Sequence, residues 1–236
     1  MKPLYKRILL KLSGEGLMGT KDFGISAKVI ADLAKQIKAI SGMGVSVSVV
    51  VGGGNIFRGA AEDIKGLDRS DADYIGMLST VMNGLVLKDA LEKQLLNVRV
   101  LSGLDIPKVC EPYIHDKAVH YFNHNKVLIF VGGTGNPFFT TDTGAVLRAA
   151  EMRVDAVLKA TQVDGVYSSD PKKDKNAKRF DKITYDEVIT RGLNVMDMAA
   201  VALAKENRIP LVVFSQEGKD ALVNAVRGKG KFTLIK

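Results

Sequence analysis

Three glycine-rich segments of the sequence could bind phosphate through backbone amides. They are KLSGEG at 11–16, VGGGN at 51–55 and VGGTGNPFFTTD at 131–142, and each lies at the end of a short apolar run. Successive backbone amides in such turns form concave sites for anions. The two common phosphate-loop patterns do not fit, because one requires glycine where Phe57 stands and the other requires lysine at Ala60. Three segments of this kind together predict that backbone amides converge on a large anionic ligand.

Charged side chains in and beside these segments could add to such a site. They are Lys11, Arg58, Lys159, Asp142, Asp164, Asp170 and Asp197. Lys11 follows an apolar run, so its ammonium group either points into a site at the end of the sheet or reaches solvent from an edge strand. Asp142 and Asp197 each lie near the predicted start of a helix, where a carboxylate either caps the helix or faces a ligand. Asp164 precedes a glycine and fits a turn equally well.

An alternation of apolar strands and amphipathic helices must position these residues. Strands are predicted at 7–12, 45–51, 98–101, 127–131, 156–159 and 210–214. Helices are predicted behind Ser26 as N-cap and at 73–95, 142–152, 195–207 and 219–226. The pattern favours an α/β fold, a three-layer αβα sandwich around a largely parallel sheet, in a single domain over residues 1–236. Ligands of such sheets bind outside the carboxyl ends of the strands, where all three glycine-rich segments lie.

The composition excludes or disfavours several classes of protein. A single cysteine among 236 residues excludes an internal disulfide, and only three histidines disfavour a zinc site. The N-terminal residues lack the apolar core of a signal peptide, and no apolar run approaches the roughly 20 residues that span a bilayer. We therefore expect a cytoplasmic protein without a membrane partner.

The formal charge of +8 suggests anionic partners, but it does not distinguish nucleotides from nucleic acid. Residues 168–182 are highly charged and predict an exposed loop.

Taken together, the segments resemble the bacterial uridylate kinases of the amino-acid kinase superfamily, which phosphorylate UMP with ATP. The resemblance extends over nearly the whole chain, through YKRILLKLSGEGL, GGGNIFRG, GMLSTVMNGL, GTGNPFFTTDT, VLKATQVDGVYSSDP and VMDMAA. It implies an amino-acid kinase-like fold, with UMP bound mainly by the N-terminal part and ATP mainly by the C-terminal part. It also implies direct in-line phosphoryl transfer from ATP with Mg²⁺. Because Mg²⁺ is held mainly by ATP oxygens and water, with at most one or two carboxylates, we expect no metal site built from protein ligands alone.

The resemblance assigns roles to individual residues. The expected ATP contacts are Lys11, Leu12, Ser13, Gly14, Gly54, Arg58, Thr161, Tyr167 and Asp170. The expected UMP contacts are Gly53, Asp73 at the start of its helix, Thr134, Gly135, Asn136, Pro137, Phe138, Phe139, Thr140 and Thr141. The expected catalytic residues are Lys11, Arg58, Asp142 and Asp197, with Asp197 orienting Lys11. Lys159 either adds charge near the ATP phosphates or pairs with an acidic neighbour.

The same resemblance implies a homohexamer that GTP activates and UTP inhibits. The segment that matches the GTP-linked region is Gly19, Thr20, Lys21, Asp22, Phe23 and Gly24. Two positions depart from the family pattern: Lys88 stands where arginine is common, and Glu92 where histidine occurs. A glutamate that faces a triphosphate would repel it, so the activation by GTP is a hypothesis.

Three other functions compete with this interpretation. A kinase of the same superfamily could act on a carboxylate or a carbamate, although GTGNPFFTTD and Asp73 resemble a nucleoside monophosphate site. The positive charge could instead serve a nucleic-acid-binding protein, but the sequence shows no recognition helix and no stripe of aromatic and basic residues. We therefore expect no nucleic-acid partner. A glycine-rich scaffold without activity would leave so many glycines without a use.

Overall fold

Nine strands form one central sheet in the computed structural model, which describes residues 2–57, 66–171 and 173–236. These strands are β1 (Arg7–Leu12), β2 (Ser46–Val51), β3 (Val98–Ser102), β4 (Glu111–Pro112), β5 (Val127–Val131), β6 (Ala156–Thr161), β9 (Lys182–Ile183), β10 (Leu211–Ser215) and β11 (Phe232–Ile235). Their order across the sheet is β4-β3-β5-β2-β1-β6-β10-β11-β9, and all neighbouring pairs are parallel except β10 with β11. A separate short hairpin pairs β7 (Val166–Tyr167) with β8 (Arg179–Phe180).

Helices cover both faces of the sheet. One face packs against α1 (Ala27–Ser41), α2 (Arg69–Glu92) and α7 (Ala221–Val226). The other packs against α3 (His115–Asn123), α4 (Thr141–Glu151), α5 (Tyr185–Thr190) and α6 (Met198–Glu206). This arrangement confirms the predicted three-layer sandwich. Within the three described ranges, no helix is both long enough and apolar enough to cross a membrane.

The central strands are apolar on both sides because helices bury both faces of the sheet. In β1, Leu10 and Leu12 face the layer of α1, while Leu9 faces the layer of α4. Lys11 shares the face of Leu9, because side chains alternate along a strand. Since β1 lies in the middle of the sheet and Lys11 is only 7% exposed, the edge-strand interpretation of this lysine is wrong.

The central elements agree with the sequence-based predictions, and the differences lie at helix starts and short elements. The helix predicted from residue 73 begins at Arg69, because the side chain of Asp68 accepts a hydrogen bond from the Ser70 amide and caps it. Ser26 caps α1 as predicted. The predictions missed α3, α5 and the short strands β4, β7, β8, β9 and β11. Part of the predicted exposed loop at 168–182 is ordered, since it contains β8.

Candidate active site

A buried cluster of two lysines and one aspartate forms the centre of the candidate site. Lys11 Nζ lies 2.7 Å from Asp142 Oδ1, and Lys159 Nζ lies 2.7 Å from Asp142 Oδ2. The two lysines are neighbours because they are register partners in the adjacent strands β1 and β6. The aspartate comes from the first turn of α4, which begins at Thr141, within the last residues of the third glycine-rich segment. We call Lys11, Asp142 and Lys159 the transfer centre.

The transfer centre carries an excess of positive charge. Burial alone would raise the pKa of Asp142, but the charges of Lys11 and Lys159 outweigh burial and lower the pKa below its usual range. Asp142 is therefore ionised at neutral pH. Burial, together with the nearby charge of Lys11, lowers the pKa of Lys159 against the opposing effect of Asp142. Two ammonium groups that share one carboxylate leave one net positive charge available to an anionic ligand.

Asp197 positions α4 and does not pair with Lys11. It is the N-cap of α6 and accepts a hydrogen bond from the Ala200 amide at 2.9 Å. Its carboxylate also accepts hydrogen bonds from the Thr143 hydroxyl, at 2.8 Å, and from the Thr140 hydroxyl. The expectation that Asp197 orients Lys11 is thus wrong, because the partner of Lys11 is Asp142.

The residue that caps α4 is Thr140. Its hydroxyl accepts hydrogen bonds from the amides of Asp142 and Thr143, so the interpretation of Asp142 as the N-cap is wrong. Because a helix start needs only one capping side chain, the carboxylate of Asp142 remains available to the two lysines. The N-terminus of α4 and the lysines therefore present positive charge at the same place.

The first two glycine-rich segments pack against each other so closely that side chains would not fit. A Cβ atom on Gly14 would lie 2.7 Å from the backbone nitrogen of Gly54 and 3.0 Å from the carbonyl oxygen of Gly52. A Cβ atom on Gly53 would lie 2.6 Å from the carbonyl oxygen of Gly76 in α2. The glycines thus allow the loop after β2 to fit between the loop after β1 and helix α2. Arg58, predicted to reach phosphates from this loop, lies outside the described residues.

A cavity of about 220 Å³ opens beside Gly53 and Gly54. Its other lining residues are Phe57, Ala72, Asp73, Gly76, Met77, Thr80, Gly133, Phe139 and Thr141. The structure thus brings Gly53, Asp73, Phe139 and Thr141, four of the predicted UMP contacts, to one cavity. We call this cavity the acceptor pocket.

Asp73 and the third glycine-rich segment meet at the mouth of the acceptor pocket. Asp73 lies in the second turn of α2, not at its start, and accepts hydrogen bonds from Arg69 Nε and, at 2.7 Å, from the Phe138 amide. Phe138 and Phe139 are 68% and 54% exposed, so they are not core residues. Thr134, Gly135, Asn136 and Pro137 form the turn before them, where the Thr134 hydroxyl accepts a hydrogen bond from the Asn136 amide.

The predicted adenosine contacts lie at the end of β6 and beyond it along the chain. The Thr161 hydroxyl donates to the Val163 carbonyl at 2.6 Å, and the Tyr167 hydroxyl donates to Asp164 at 2.5 Å. The hydrogen bond to the Asp164 carboxylate raises the pKa of Tyr167. Asp170 is exposed, beyond β7. Lys11, Leu12, Ser13 and Gly14 stand at the end of β1, next to β6.

A larger cavity, of about 700 Å³, lies on the opposite face of the sheet between α1 and α7. Leu10, Leu12 and Phe214 line it, and the side chains of β1 that point there alternate with Lys11, which points away. This cavity also includes Gly19 and Thr20 of the segment expected to respond to GTP. The position of the buried charges, and not cavity size, therefore identifies the candidate active site.

Comparison with known proteins agrees with this geometry. A model of the amino acid kinase family matches residues 6–215. The chain belongs to the amino acid kinase family. A uridylate kinase of Brucella anthropi is 54% identical over 234 residues, which cover 99% of this chain and 98% of that relative.

Solved structures are similar over the full length as well. The crystal structure of UMP kinase from Ureaplasma parvum has a TM-score of 0.93 at 40% identity and covers 100% of this chain and 99% of its own. A UMP kinase structure from Bacillus anthracis has a TM-score of 0.94 at 41% identity, with 98% and 96% of the two chains covered. The family and fold expected from the sequence motifs are therefore confirmed.

Proposed function

We propose that this chain transfers the γ-phosphoryl group of ATP to UMP, which yields UDP and ADP. The observation that carries the proposal is the position of the transfer centre. It lies beside the acceptor pocket, because Thr141 lines that pocket and precedes Asp142, and its two lysines stand near the ends of β1 and β6. The uridylate kinases and UMP kinases that resemble this chain over its full length support the choice of UMP as acceptor. We also propose that residues 1–236 form a single domain.

The chemistry needs charge and alignment more than a general base. A UMP phosphate oxygen is already anionic, so the protein must hold two mutually repelling phosphates in line and stabilise the transferred group. We assign Lys11 to the transferred phosphoryl and Lys159 to the ATP phosphates. Asp142 holds both ammonium groups in place. Fixed charges in a buried site favour the transition state because they need no reorganisation during the reaction.

The remaining predicted contacts divide between the two nucleotides. For ATP these are the backbone of Leu12, Ser13, Gly14 and Gly54, with Thr161, Tyr167 and Asp170 at the adenosine. For UMP these are Gly53 and the segment from Thr134 to Thr141, with Asp73 at the ribose. Arg58 completes the phosphate contacts in this proposal, and Asp197 acts by holding the start of α4 through Thr140 and Thr143.

Magnesium enters this proposal with ATP. In the part of the chain that the structure describes, no three histidine, cysteine, aspartate or glutamate side chains come together as a metal site. Both oxygens of Asp142 already contact lysines. Mg²⁺ would therefore be held by phosphate oxygens and water, as is usual for this ion, and would neutralise part of the phosphate charge.

An exposed apolar stripe on α2 supports the proposed oligomer. Tyr74, Leu78, Met82 and Val86 recur every four residues along the helix and are each at least 40% exposed. Contiguous apolar surface of this kind usually marks a contact with another chain. We propose a homohexamer whose subunits meet through this stripe, in the cytoplasm, where UMP and ATP are available. A monomeric mass in light scattering at micromolar protein would contradict the oligomer.

Regulation by GTP and UTP is part of the same proposal. Glu92 pairs with Lys88 at 3.6 Å, so its charge is partly neutralised and repels a triphosphate less than an isolated carboxylate would. The segment from Gly19 to Gly24 reaches the loop after β2, since the Gly24 amide donates to the Asn55 carbonyl at 2.9 Å. Initial rates at subsaturating ATP, with GTP or UTP added, test both effects. Unchanged initial rates would contradict both activation by GTP and inhibition by UTP.

The deciding experiment measures ADP release from ATP and Mg²⁺ with one acceptor at a time. The acceptors are UMP, CMP, dUMP, AMP, GMP, aspartate, acetylglutamate and carbamate. We expect turnover with UMP far above that with any other acceptor. Turnover of aspartate, acetylglutamate or carbamate instead would keep the ATP site and overturn the acceptor. No turnover with any of them would overturn the kinase assignment.

A further inference from the structure

Two buried asparagines form a reciprocal amide pair beneath the loop that separates the two nucleotide regions. Asn83 projects from α2 and is 0% exposed, and Asn55 ends the second glycine-rich segment and is 1% exposed. Asn55 Nδ2 donates to Asn83 Oδ1 at 3.0 Å, and Asn83 Nδ2 donates to Asn55 Oδ1 at 2.7 Å. Neither residue lies among the nucleotide contacts proposed above.

The second donor of each amide binds a different backbone segment. Asn83 Nδ2 donates to the Gly52 carbonyl at 2.7 Å, and Asn55 Nδ2 donates to the Gly24 carbonyl at 3.0 Å. Each side-chain amide has two N–H donors, so both amides use their full donor capacity. An aspartate at either position would put an acceptor where a backbone carbonyl needs a donor. An apolar side chain would leave buried polar groups without a partner.

These hydrogen bonds join three segments at Asn55. Its own carbonyl accepts from the Gly24 amide at 2.9 Å, which makes the link to residues 19–24 two-fold. Its Oδ1 lies 2.7 Å from the place where a Cβ on Gly14 would stand, so the loop after β1 packs directly on it. The loop after β1, the loop after β2 and residues 19–24 therefore have one common support in α2.

We infer that Asn55 and Asn83 are positioning residues that fix the loop after β2 against the loop after β1 and thereby align donor and acceptor phosphates. The inference rests on the proposed function, because it assigns Gly53 to UMP and Gly14 and Gly54 to ATP. Neither asparagine touches the reacting atoms. They act through Gly52, the residue before Gly53, whose carbonyl Asn83 holds. A displacement of reacting groups by about 1 Å can lower a rate by roughly 10²-fold, so a small loop shift is sufficient.

The test uses Asn83→Asp, which keeps the size of the side chain and replaces its two donors, to the Gly52 carbonyl and to Asn55 Oδ1, by a carboxylate oxygen. Its matched control is Ser48→Ala, which also removes a buried side-chain donor to a backbone carbonyl, here that of Ile8, in the middle of β2. We expect Asn83→Asp to lower kcat per folded enzyme roughly ten- to a hundredfold, with a smaller change in the KM values for UMP and ATP. Ser48→Ala should leave all three parameters within about twofold. Asn55→Ser serves as a second variant should Asn83→Asp not fold.

Hydrogen exchange of the backbone amides gives a readout that does not depend on activity. In both asparagine variants, the amides of 12–16, 22–24 and 52–57 should exchange faster together, while Ser48→Ala should leave all three segments unchanged. Normal kcat per folded enzyme in Asn83→Asp, or faster exchange confined to one segment, would overturn the inference. Wild-type protein without UMP turnover would overturn the proposed function instead, and the exchange data would still decide whether the asparagines hold the loops together.

Discussion

The transfer centre and the acceptor pocket differ in how firmly their side chains are held. In the transfer centre, every charged group has a partner within 2.7 Å, and the side chains of Lys11, Asp142 and Lys159 are 9%, 13% and 13% exposed. At the acceptor pocket, Phe138 and Phe139 are more than half exposed. The charges proposed to act on phosphate are fixed on strands and a helix start, whereas the pocket has a loop with Phe139 on one side and helix α2 on another.

This difference fits the separate demands of catalysis and binding. Electrostatic stabilisation is strongest when charges are desolvated and already oriented, and central strands provide that rigidity. A pocket must instead admit and release a nucleotide, so its wall remains accessible. The comparison predicts that substitutions in the transfer centre lower kcat, while substitutions in the acceptor pocket raise KM.

The largest expected effect is that of Lys11→Ala. Removal of this charge leaves Asp142 with one lysine and removes the group assigned to the transferred phosphoryl, so kcat should fall roughly 10²- to 10³-fold. Steady-state kinetics with UMP and ATP, together with circular dichroism to verify folding, measure the effect. Lys35→Ala, a change of an exposed lysine in α1, is the matched control. A turnover close to that of the control would exclude Lys11 from the mechanism.

Lys159→Met should lower kcat by roughly tenfold and also change its pH dependence. Because burial and the charge of Lys11 lower the pKa of Lys159, wild-type enzyme should lose this positive charge at a lower pH than an exposed lysine does. The kcat of the wild type should therefore fall on the alkaline side below the usual lysine range. The variant should lack this decline. If kcat depended on pH in the same way in both proteins, Lys159 would have no role in the transfer step.

Asp73→Asn tests the acceptor side of the comparison. The loss of a charged acceptor should raise the KM for UMP about tenfold and leave kcat nearly unchanged, since Asp73 is placed at the ribose and not at the reacting atoms. Initial rates over a range of UMP concentrations give both parameters. Asp71→Asn, an exposed change in the preceding turn of α2, controls for altered surface charge. A fall in kcat with an unchanged KM for UMP would contradict the assignment of Asp73 to binding and not to catalysis.

The smallest expected effect is that of Tyr167→Phe. The variant loses only the hydrogen bond to Asp164 at the adenosine end, so the KM for ATP should rise about threefold. The KM for UMP should stay unchanged, which initial rates with ATP varied and with UMP varied will measure. A change in the KM for UMP would show that Tyr167 affects both nucleotide regions and that the two are not independent.

The sequence predicted the parts of the molecule whose patterns are local. The six main strands follow from apolar runs, and α1 follows from its periodicity and its Ser26 cap. The predicted start of α2 at Asp73 is wrong, because Asp68, five residues earlier, caps the helix. The short elements β4 and β9 contain only two residues each, too few for any periodicity.

Within the site, the residue types were predictable but their pairing was not. Lys11 and Asp142 lie 131 positions apart, and only the register of β1 and β6 and the direction of α4 decide that they meet. The same holds for Asn83, which looks like an ordinary polar residue within a helix. Its one local signal was its place in the VMNGL motif, where a polar side chain stands among apolar ones.

The register of the central sheet couples correct folding to activity. Lys11 and Lys159 are paired across two parallel strands, and their neighbours Leu10 and Leu158 point into the opposite core. A shift of β1 by a single residue would turn Lys11 into that core and expose its leucines to the charged side. Such a chain would lose its stability and its catalytic charges at once. We therefore expect molecules with a shifted β1 to remain unfolded. The fraction of active enzyme in a preparation should then equal the fraction of folded protein.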